Sequence, residues 1–262
     1  IGMSAVMAIA GLVLNTTATS LNTQDYEANI GTSNPENYYT AIDIYPQRIE
    51  AYNLLIDYYK NHDATEDNVK KIGNTIEENS SSLDTTQPEF AELYYNIGKL
   101  YFAQFGDSSL KSAAVNAKPF FEMAVSAEAS YDKKEIANCY LSICNFMTKQ
   151  SKTSENSLDD YTKLFEEIET EIGIIDKSSD SEANYDKISL YYVTMLLIND
   201  QADLMASVGF ERETALEWID DLYIKANSIT STLDYVNKTN NKVTSSYDSF
   251  ISNINTKYNE VE

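Results

Sequence analysis

Side chains that could do acid–base chemistry are few in this sequence. The single histidine, His62, stands beside Asp63, and such a pair can act as a general base. No nucleophile stands at a recognisable spacing from it, and a histidine in a turn is usually only solvated. Paired acids such as Glu166-Glu167 point to different faces of a helix and form no hydrolytic dyad by themselves. We therefore predict no catalytic residues in this chain.

One acidic segment has the alternation of a calcium-binding loop. Asp180, Glu182, Asn184 and Asp186 place oxygen-bearing side chains at every second position. A calcium loop of this kind needs a glycine at its sharp turn, and Tyr185 stands there instead. We therefore expect an acidic turn rather than a calcium site.

The two cysteines, Cys139 and Cys144, fall within one predicted helix. Their spacing puts the two thiols on different faces of that helix, which argues against a local disulfide. Together with His62 they offer too few nitrogen and sulfur ligands for a zinc site. We expect them to be small buried apolar groups, and we predict neither a metal nor a cofactor.

Composition restricts both the fold class and the partners. Only 4 Pro and 8 Gly occur in 262 residues, which favours an all-α fold over sandwiches or barrels with their frequent turns. The formal charge is −22, from 19 basic and 41 acidic residues, so the long-range field repels nucleic acid and anionic lipid. A cationic or neutral peptide surface is a better partner. Acidic side chains that only keep helix faces soluble would give the same composition.

Apolar residues at steps of three and four predict successive helices that must position these side chains. Asn34-Pro35 is a predicted helix start, another helix is expected from Thr65 to Asn79, and Pro88 begins a further one. A loop is expected to bulge near residues 106–112, with Pro119 near the start of the following helix. A heptad-like run from residue 215 to 254 predicts one long C-terminal helix, continuous across residues 237–242.

Two stretches carry the spacing of a helical-hairpin repeat. The matching positions are Ala41, Pro46, Tyr52, Leu55 and Tyr59 in one stretch, and Tyr94, Ile97, Gly98, Tyr101, Ala117, Phe121 and Ala124 in the other, while Ile56 stands where the pattern has a small residue. This pattern resembles the tetratricopeptide repeat, in which small residues let paired helices approach and aromatic residues fill the gap to the next pair. The resemblance implies a right-handed α-α superhelix, a solenoid of antiparallel helix pairs. A helix bundle rich in Ala and Tyr would match part of the pattern too.

The repeat family presents residues two, five and nine of each first helix to a concave groove. The resemblance therefore implies six ligand-binding positions in this chain: Glu50, Asn53, Asp57, Glu92, Tyr95 and Lys99. Grooves of this family that hold a peptide carboxylate use Lys, Arg and Asn, whereas three of these six residues are acidic. A groove for a cationic or amide-rich peptide is the functional interpretation, and a solvated helix face is the alternative.

Residues 1–14, from Ile1 to Leu14, are apolar or small and uncharged. As a helix they would reach about 21 Å, short of a hydrocarbon core of about 30 Å, so we expect the outer end of a single membrane-spanning helix. A secretory signal segment, or a helix packed in a groove of this molecule or of another copy, would give a similar pattern. The second alternative makes self-association through these residues possible.

The order of features resembles the extracellular part of membrane-anchored Ser/Thr kinases of Gram-positive bacteria. The segments that carry this resemblance are Asp57-Tyr58-Tyr59, Ala91-Glu92-Leu93, Ile97-Gly98-Lys99-Leu100-Tyr101, Lys118-Pro119-Phe120-Phe121, and Cys139-Tyr140 leading to Ile143-Cys144. The resemblance implies an upstream kinase domain and an extracellular location at the cell membrane. This chain itself has no phosphate loop and no kinase catalytic motif.

We therefore predict three regions. Residues 1–24 are expected to be a membrane-helix end and a polar tether, residues 25–150 tetratricopeptide-like repeats, and residues 151–262 degenerate helical repeats with a long C-terminal helix. The expected function is a non-catalytic protein- or peptide-interaction module that senses a ligand. A structural spacer, or an enzyme with a dispersed site, is the alternative.

Overall fold

A computed structural model describes residues 19–62, 65–84, 86–106, 108–149, 156–178 and 183–261. Within these ranges all regular elements are helices, without a strand, so the predicted all-α class is confirmed. Helix α1 covers residues 19–30 of the described chain. The others are α2 (Pro35–Ile44), α3 (Ile49–Asn61), α4 (Glu66–Glu78), a 3-10 turn (Ser80–Ser82), α5 (Pro88–Phe105), α6 (Leu110–Ser126), α7 (Lys134–Lys149), α8 (Leu158–Ile175), α9 (Ala183–Ser207), α10 (Arg212–Ser228) and α11 (Asp234–Val261).

Several helices begin where capping residues predict. The Asn34 side chain accepts a hydrogen bond from the backbone N–H of Glu36, and Pro35 follows in the first turn of α2. Thr65 and Asn68 form a reciprocal capping box at the start of α4. These contacts satisfy backbone donors that the first turn of a helix would otherwise leave without a partner.

Helices that follow one another along the chain pack together, and the C-terminal helices return to the first half. Helix α5 packs on α6, and α6 packs on α7. Helix α9 lies between α8, α10 and α11 and also contacts α5 and α6, while α11 reaches α3. Most of α9 is buried, as expected for a helix with neighbours on several sides. The N-terminal ends of α9 and α11 are thereby brought to the candidate site described below.

A glycine allows α5 and α6 to approach closely. A Cβ atom on Gly98 would lie 2.8–2.9 Å from three ring carbons of Phe121, closer than a methyl group can stand. The Phe121 ring in turn stacks on Tyr140 of α7, with centroids 5.1 Å apart and an angle of 4° between the ring planes. Gly98 and Phe121 occupy the small and the aromatic position of the predicted hairpin pattern. The close packing of α5 on α6 at this point is the reason that position 98 must be small.

The loop predicted for residues 106–112 is largely absent. Helix α6 begins at Leu110, with Ser109 as its cap, and Pro119 lies inside the helix rather than near its start. The predicted helix start is wrong because the preference of proline for a first turn does not decide where this helix begins. Apolar residues upstream, including Leu110, Ala113 and Ala114, continue the buried stripe and extend the helix by more than two turns.

The C-terminal heptad-like run is divided between two helices. Helix α11 is continuous across residues 237–242, as expected, but the helical structure is interrupted earlier, between Ser228 and Asp234. The prediction of a single helix over the whole run is therefore wrong. Helices α10 and α11 contact each other and both contact α9, so each buries an apolar stripe against the same neighbours. The apolar residues keep their steps of three and four across the segment between α10 and α11, so the sequence pattern alone does not show where the first helix ends.

The predicted tether is helical where the structure describes it. Tyr26 of α1 is fully buried, its ring centroid lies 5.6 Å from that of Tyr45, and the Arg48 guanidinium lies 4.5 Å from its centroid. One buried aromatic residue among polar ones carries too weak a periodic signal to reveal this docking. The boundary expected at residues 24/25 thus falls inside a helix.

The apolar run 1–14 lies outside the described residues, and no helix among those described combines the length and hydropathy needed to cross a membrane.

Candidate functional site

A pocket of about 360 Å³ lies where α3, α5 and the N-terminal ends of α9 and α11 meet. The pocket-lining residues share one face of each helix, at steps of three and four. They are Asn53, Ile56, Asp57 and Lys60 of α3, Glu89, Glu92, Tyr95, Asn96 and Lys99 of α5, Tyr185 and Asp186 of α9, Tyr235 of α11, and Lys133, which precedes α7. We call this cavity the α3–α5 pocket.

Five of the six residues implied by the repeat resemblance line this pocket. They are Asn53, Asp57, Glu92, Tyr95 and Lys99. Glu50 does not line it; its carboxylate accepts a hydrogen bond from the Tyr26 hydroxyl at 3.4 Å. The first turn of α3 faces α1, and no local sequence pattern predicts that α1 packs there.

The Asp186 carboxylate is the centre of a buried polar network. One of its oxygens accepts hydrogen bonds from the Lys99 ammonium and from the Tyr95 hydroxyl, the latter at 2.7 Å. Its other oxygen lies 2.8 Å from the Lys133 ammonium. Lys99 and Asp186 are almost inaccessible to solvent, whereas Lys133 is partly exposed. The network ties α5 to α9 across the floor of the pocket.

Burial and charge act in opposite directions on these groups. Burial alone would raise the pKa of Asp186, but the two ammonium groups outweigh it and hold that pKa well below its ordinary value. Burial lowers the pKa of Lys99 to about 8, although the Asp186 charge partly opposes the shift. Burial and the same carboxylate raise the pKa of Tyr95. Around pH 7 the floor therefore holds an ionised Asp186, a protonated Lys99 and a neutral Tyr95.

Aromatic rings lie over two lysines of the pocket, Lys60 and Lys99. The Lys99 ammonium lies 4.2 Å from the Tyr185 ring centroid and 4.7 Å from that of Tyr95. The Lys60 ammonium lies 5.6 Å from the centroids of both Tyr185 and Tyr235, and it also pairs with Asp57 at 3.1 Å. These distances are within the range of cation–π attraction. The tyrosines thus favour the observed positions of the Lys60 and Lys99 ammonium groups.

The mouth of the pocket is acidic and polar. Glu89 and Glu92 stand one turn apart on α5 and are both exposed, and Asn53 and Asn96 lie half-buried beside them. Among the residues that the structure describes, neither glutamate forms an ion pair. Their carboxylates therefore face the solvent without a cationic neighbour bonded to them, while the lysines below them are held by Asp57 and Asp186.

The second half of the chain contributes pocket residues that no local sequence pattern predicts. In the sequence, Asp186 appears only as the last member of a calcium-like alternation, but its carboxylate is bound by two lysines instead. No group of three metal-ligating side chains occurs in the described ranges. One signal was available: Lys99 lies on the apolar stripe of α5, and a lysine there needs a buried anion. Tyr95 and Lys99, two of the positions implied by the repeat resemblance, are thus already hydrogen-bonded to Asp186 of α9.

The two cysteines and His62 do not line the pocket. Cys139 and Cys144 are buried free thiols, as predicted, and burial raises the pKa of both. The His62 ring stacks on Tyr58 with centroids 4.1 Å apart, and its Nδ1 lies 2.8 Å from the Tyr58 carbonyl oxygen. Asp63, its proposed partner, lies outside the described residues.

The low pKa of Lys99 predicts a pH-dependent stability. Lys99 titrates near pH 8 in the folded chain and near its ordinary value of 10.5 in the unfolded chain, so between these values the unfolded chain binds more protons. Stability conferred by this group is therefore present at high pH and is lost as pH falls through 8. We expect the free energy of unfolding of wild type, minus that of Lys99→Met, to rise by about 1 kcal/mol per pH unit over this window.

Urea denaturation at pH 6, 7, 8, 9 and 10 measures this difference. Tyrosine ionisation is common to both proteins and largely cancels in the subtraction. The difference should be flat from pH 6 to 7, which serves as an internal control. A difference that stays flat up to pH 10 would mean that Lys99 titrates normally.

Comparisons with known proteins matched no protein family, no curated protein and no solved structure to this chain, so its function is to be inferred from the chemistry of its own surfaces.

Proposed function

We propose that this chain is a non-catalytic interaction module that binds a cationic or amide-rich peptide segment in the α3–α5 pocket. The observation that carries the proposal is the mouth of the pocket, where the carboxylates of Glu89 and Glu92 stand unpaired beside the amides of Asn53 and Asn96. Carboxylates accept hydrogen bonds from ammonium and guanidinium groups, and side-chain amides can bond both the N–H and the C=O of a peptide backbone.

The dimensions and charges of the pocket favour such a ligand. A volume of about 360 Å³ is in the range of small binding sites, and the pocket opens between two helices rather than being closed. The cations on the floor already have anionic partners, which leaves the mouth with excess negative charge. A net charge of −22 would also attract a cationic partner over a distance.

The proposal is tested with a fluorescein-labelled octapeptide of alternating Lys and Asn, whose binding is followed by fluorescence polarisation. Replacing Glu89 and Glu92 together by Gln keeps the shape of the mouth and removes both charges. We expect the double variant to bind about fivefold to twentyfold more weakly, with a smaller dependence on salt, because rim charge pairs contribute a few tenths to 1 kcal/mol each.

Glu128→Gln is the matched control, since Glu128 is exposed and does not line the pocket. It should bind like wild type. Equal affinity in wild type and in the Glu89/Glu92 double variant would remove the mouth from the binding site. A peptide of alternating Glu and Asn that binds as well as the Lys peptide would refute the charge preference.

The same proposal includes the location of this chain in the cell and its attachment to a membrane. We propose that the helical hairpins form a superhelical array outside a membrane, anchored through the run 1–14 and joined to a kinase domain upstream. Support comes from the resemblance of the repeat and tail segments and from the uncharged character of that run. Protease added to intact cells should degrade this region in a single-pass protein of that orientation. Protection until the cells are lysed would contradict the extracellular placement.

A further inference from the structure

A second concave surface lies between α8 and α10, and it shares no residue with the α3–α5 pocket. Two adjoining cavities of about 360 and 380 Å³ line up along it and have Glu169, Thr214 and Trp218 in common. Helix α9 packs on both α8 and α10. The lining residues of α8 and of α10 advance together from one cavity to the next, so the two helices run side by side in the same direction. We call this surface the α8–α10 groove.

The floor of the groove is aromatic and apolar. The Phe165 ring centroid lies 5.4 Å from that of Phe210 and 5.4 Å from that of Trp218, which is the only tryptophan of the chain. Trp218 and Phe210 are only half-buried, and Leu158 at one end is 40% exposed. Side chains of this kind that remain accessible inside a concavity are typical of binding surfaces.

The rim of the groove is strongly acidic. Its carboxylates are those of Glu166, Glu169, Glu211, Glu217 and Asp221, and all five residues are exposed. Lys225 is the one cation among the lining residues, and it is already paired with Asp221 at 3.0 Å and with Asp176 at 3.3 Å. An apolar occupant alone would leave these charges without complementary partners.

The length and shape of the groove define the occupant further. The lining residues of α8 extend from Leu158 to Gly173, which is about 22 Å at the rise of an α-helix. An added Cβ on Gly173 would meet no atom within 4 Å, so this end of the groove is open and wide. A helix of about four turns has the matching length, and it can place apolar residues on the floor and basic residues against both rims.

We propose that the α8–α10 groove binds an amphipathic helix with an apolar face and lysine- or arginine-rich flanks, supplied by another protein. The apolar face would cover Trp218 and Phe210, and the basic flanks would pair with the glutamates of α8 and α10. The uncharged run 1–14 of a second copy is a poorer fit, because it offers nothing to the acidic rim.

Trp218 reports directly on occupation of the groove. The test uses the full chain and a tryptophan-free peptide of about 14 residues, with Leu at helical spacing and Lys on both flanks. Its binding should shift the Trp218 emission to shorter wavelength in a saturable way, because the ring loses contact with water. A peptide of the same composition in scrambled order should bind at least about tenfold more weakly, since it cannot present one apolar face.

Gly173 provides a variant that fills the groove without disturbing the core. Gly173→Leu should weaken the peptide by about tenfold or more, since the added side chain occupies open space in the groove. Gly173→Ala, with a much smaller side chain, should bind almost normally and shows whether removal of the helical glycine matters by itself. The Glu169→Gln/Glu217→Gln double variant should lose about threefold to twentyfold in affinity and most of the salt dependence.

Three results would overturn the proposal. The first is unchanged peptide binding in Gly173→Leu, and the second is equal binding of a peptide with Gln in place of every Lys. A Trp218 shift that depends on protein concentration without any peptide, together with dimers in sedimentation, would assign the groove to a second copy and would also refute it. The Glu89→Gln/Glu92→Gln variant should bind this peptide normally, so a failure here is distinguishable from failure of the α3–α5 pocket.

Discussion

Replacing Asp186 by alanine is expected to lower the free energy of unfolding by about 3–5 kcal/mol, because it removes the only anion bonded to the buried ammonium of Lys99 among the described residues. The change also takes an acceptor from the Tyr95 hydroxyl and an ion-pair partner from Lys133. Loss of a proton from Lys99 limits the penalty, since its pKa is already lowered to about 8. The midpoint and slope of urea denaturation measure the loss.

Asp203→Ala on the same helix is the matched control. Asp203 pairs with Lys257 at 3.3 Å, but both side chains are substantially exposed, so we expect a loss below about 1 kcal/mol. The double variant Lys99→Met/Asp186→Leu should recover part of the stability lost in Asp186→Ala, because neither charge is then left buried alone. Equal losses in Asp186→Ala and Asp203→Ala would show that the buried network contributes no more than a surface pair.

Phe121→Ala is expected to lower the free energy of unfolding by about 3–5 kcal/mol. The Phe121 ring is fully buried and packs against the rings of Tyr95, Phe102 and Tyr140. Removing it leaves a cavity at the point where α5, α6 and α7 meet, and the neighbouring helices cannot close this cavity without separating from other partners. Urea denaturation again provides the measurement.

The substitution Gly98→Ala tests whether the Phe121 ring is the reason that only glycine fits at position 98. In wild type, Gly98→Ala should be destabilising by about 1 kcal/mol, because the overlap with Phe121 exceeds the gain in helix propensity. With Phe121 already changed to alanine, the same substitution should become neutral or stabilising by up to about 1 kcal/mol. Gly98→Ala with the same effect in both backgrounds would contradict a direct Gly98–Phe121 contact.

Local signals in the sequence were sufficient for most helices of the first half. Asn34, Thr65 and Pro88 marked helix starts because capping and first-turn preferences act within a few residues. The spacing of Tyr94, Gly98 and Phe121 indicated the α5–α6 hairpin because it reflects direct packing between adjacent helices. The same local reasoning was wrong at Pro119, where the buried stripe of α6 overrides a single residue's preference.

Long-range docking could not be derived in the same way. Five of the six groove positions do face one pocket, since position on a helix face follows from helix periodicity. The residues that complete the pocket, Tyr185, Asp186 and Tyr235, come from helices far along the chain, and no local pattern ties them to α5. Glu50 was misplaced for the same reason, because its neighbour Tyr26 belongs to a helix whose sequence has almost no apolar periodicity.

The bond between Lys99 and Asp186 joins residues 87 positions apart, and this separation has a consequence for how the chain acquires its shape during synthesis. Helices α3 and α5 leave the ribosome long before α9, so the floor of the pocket stays open to water until Asp186 emerges. Non-local pairings of this kind form late and slow the search for the native state. The first hairpins are therefore synthesised before the last four helices, α8 to α11, can pack on them, and a cut between α7 and α8 would separate two halves that complete each other.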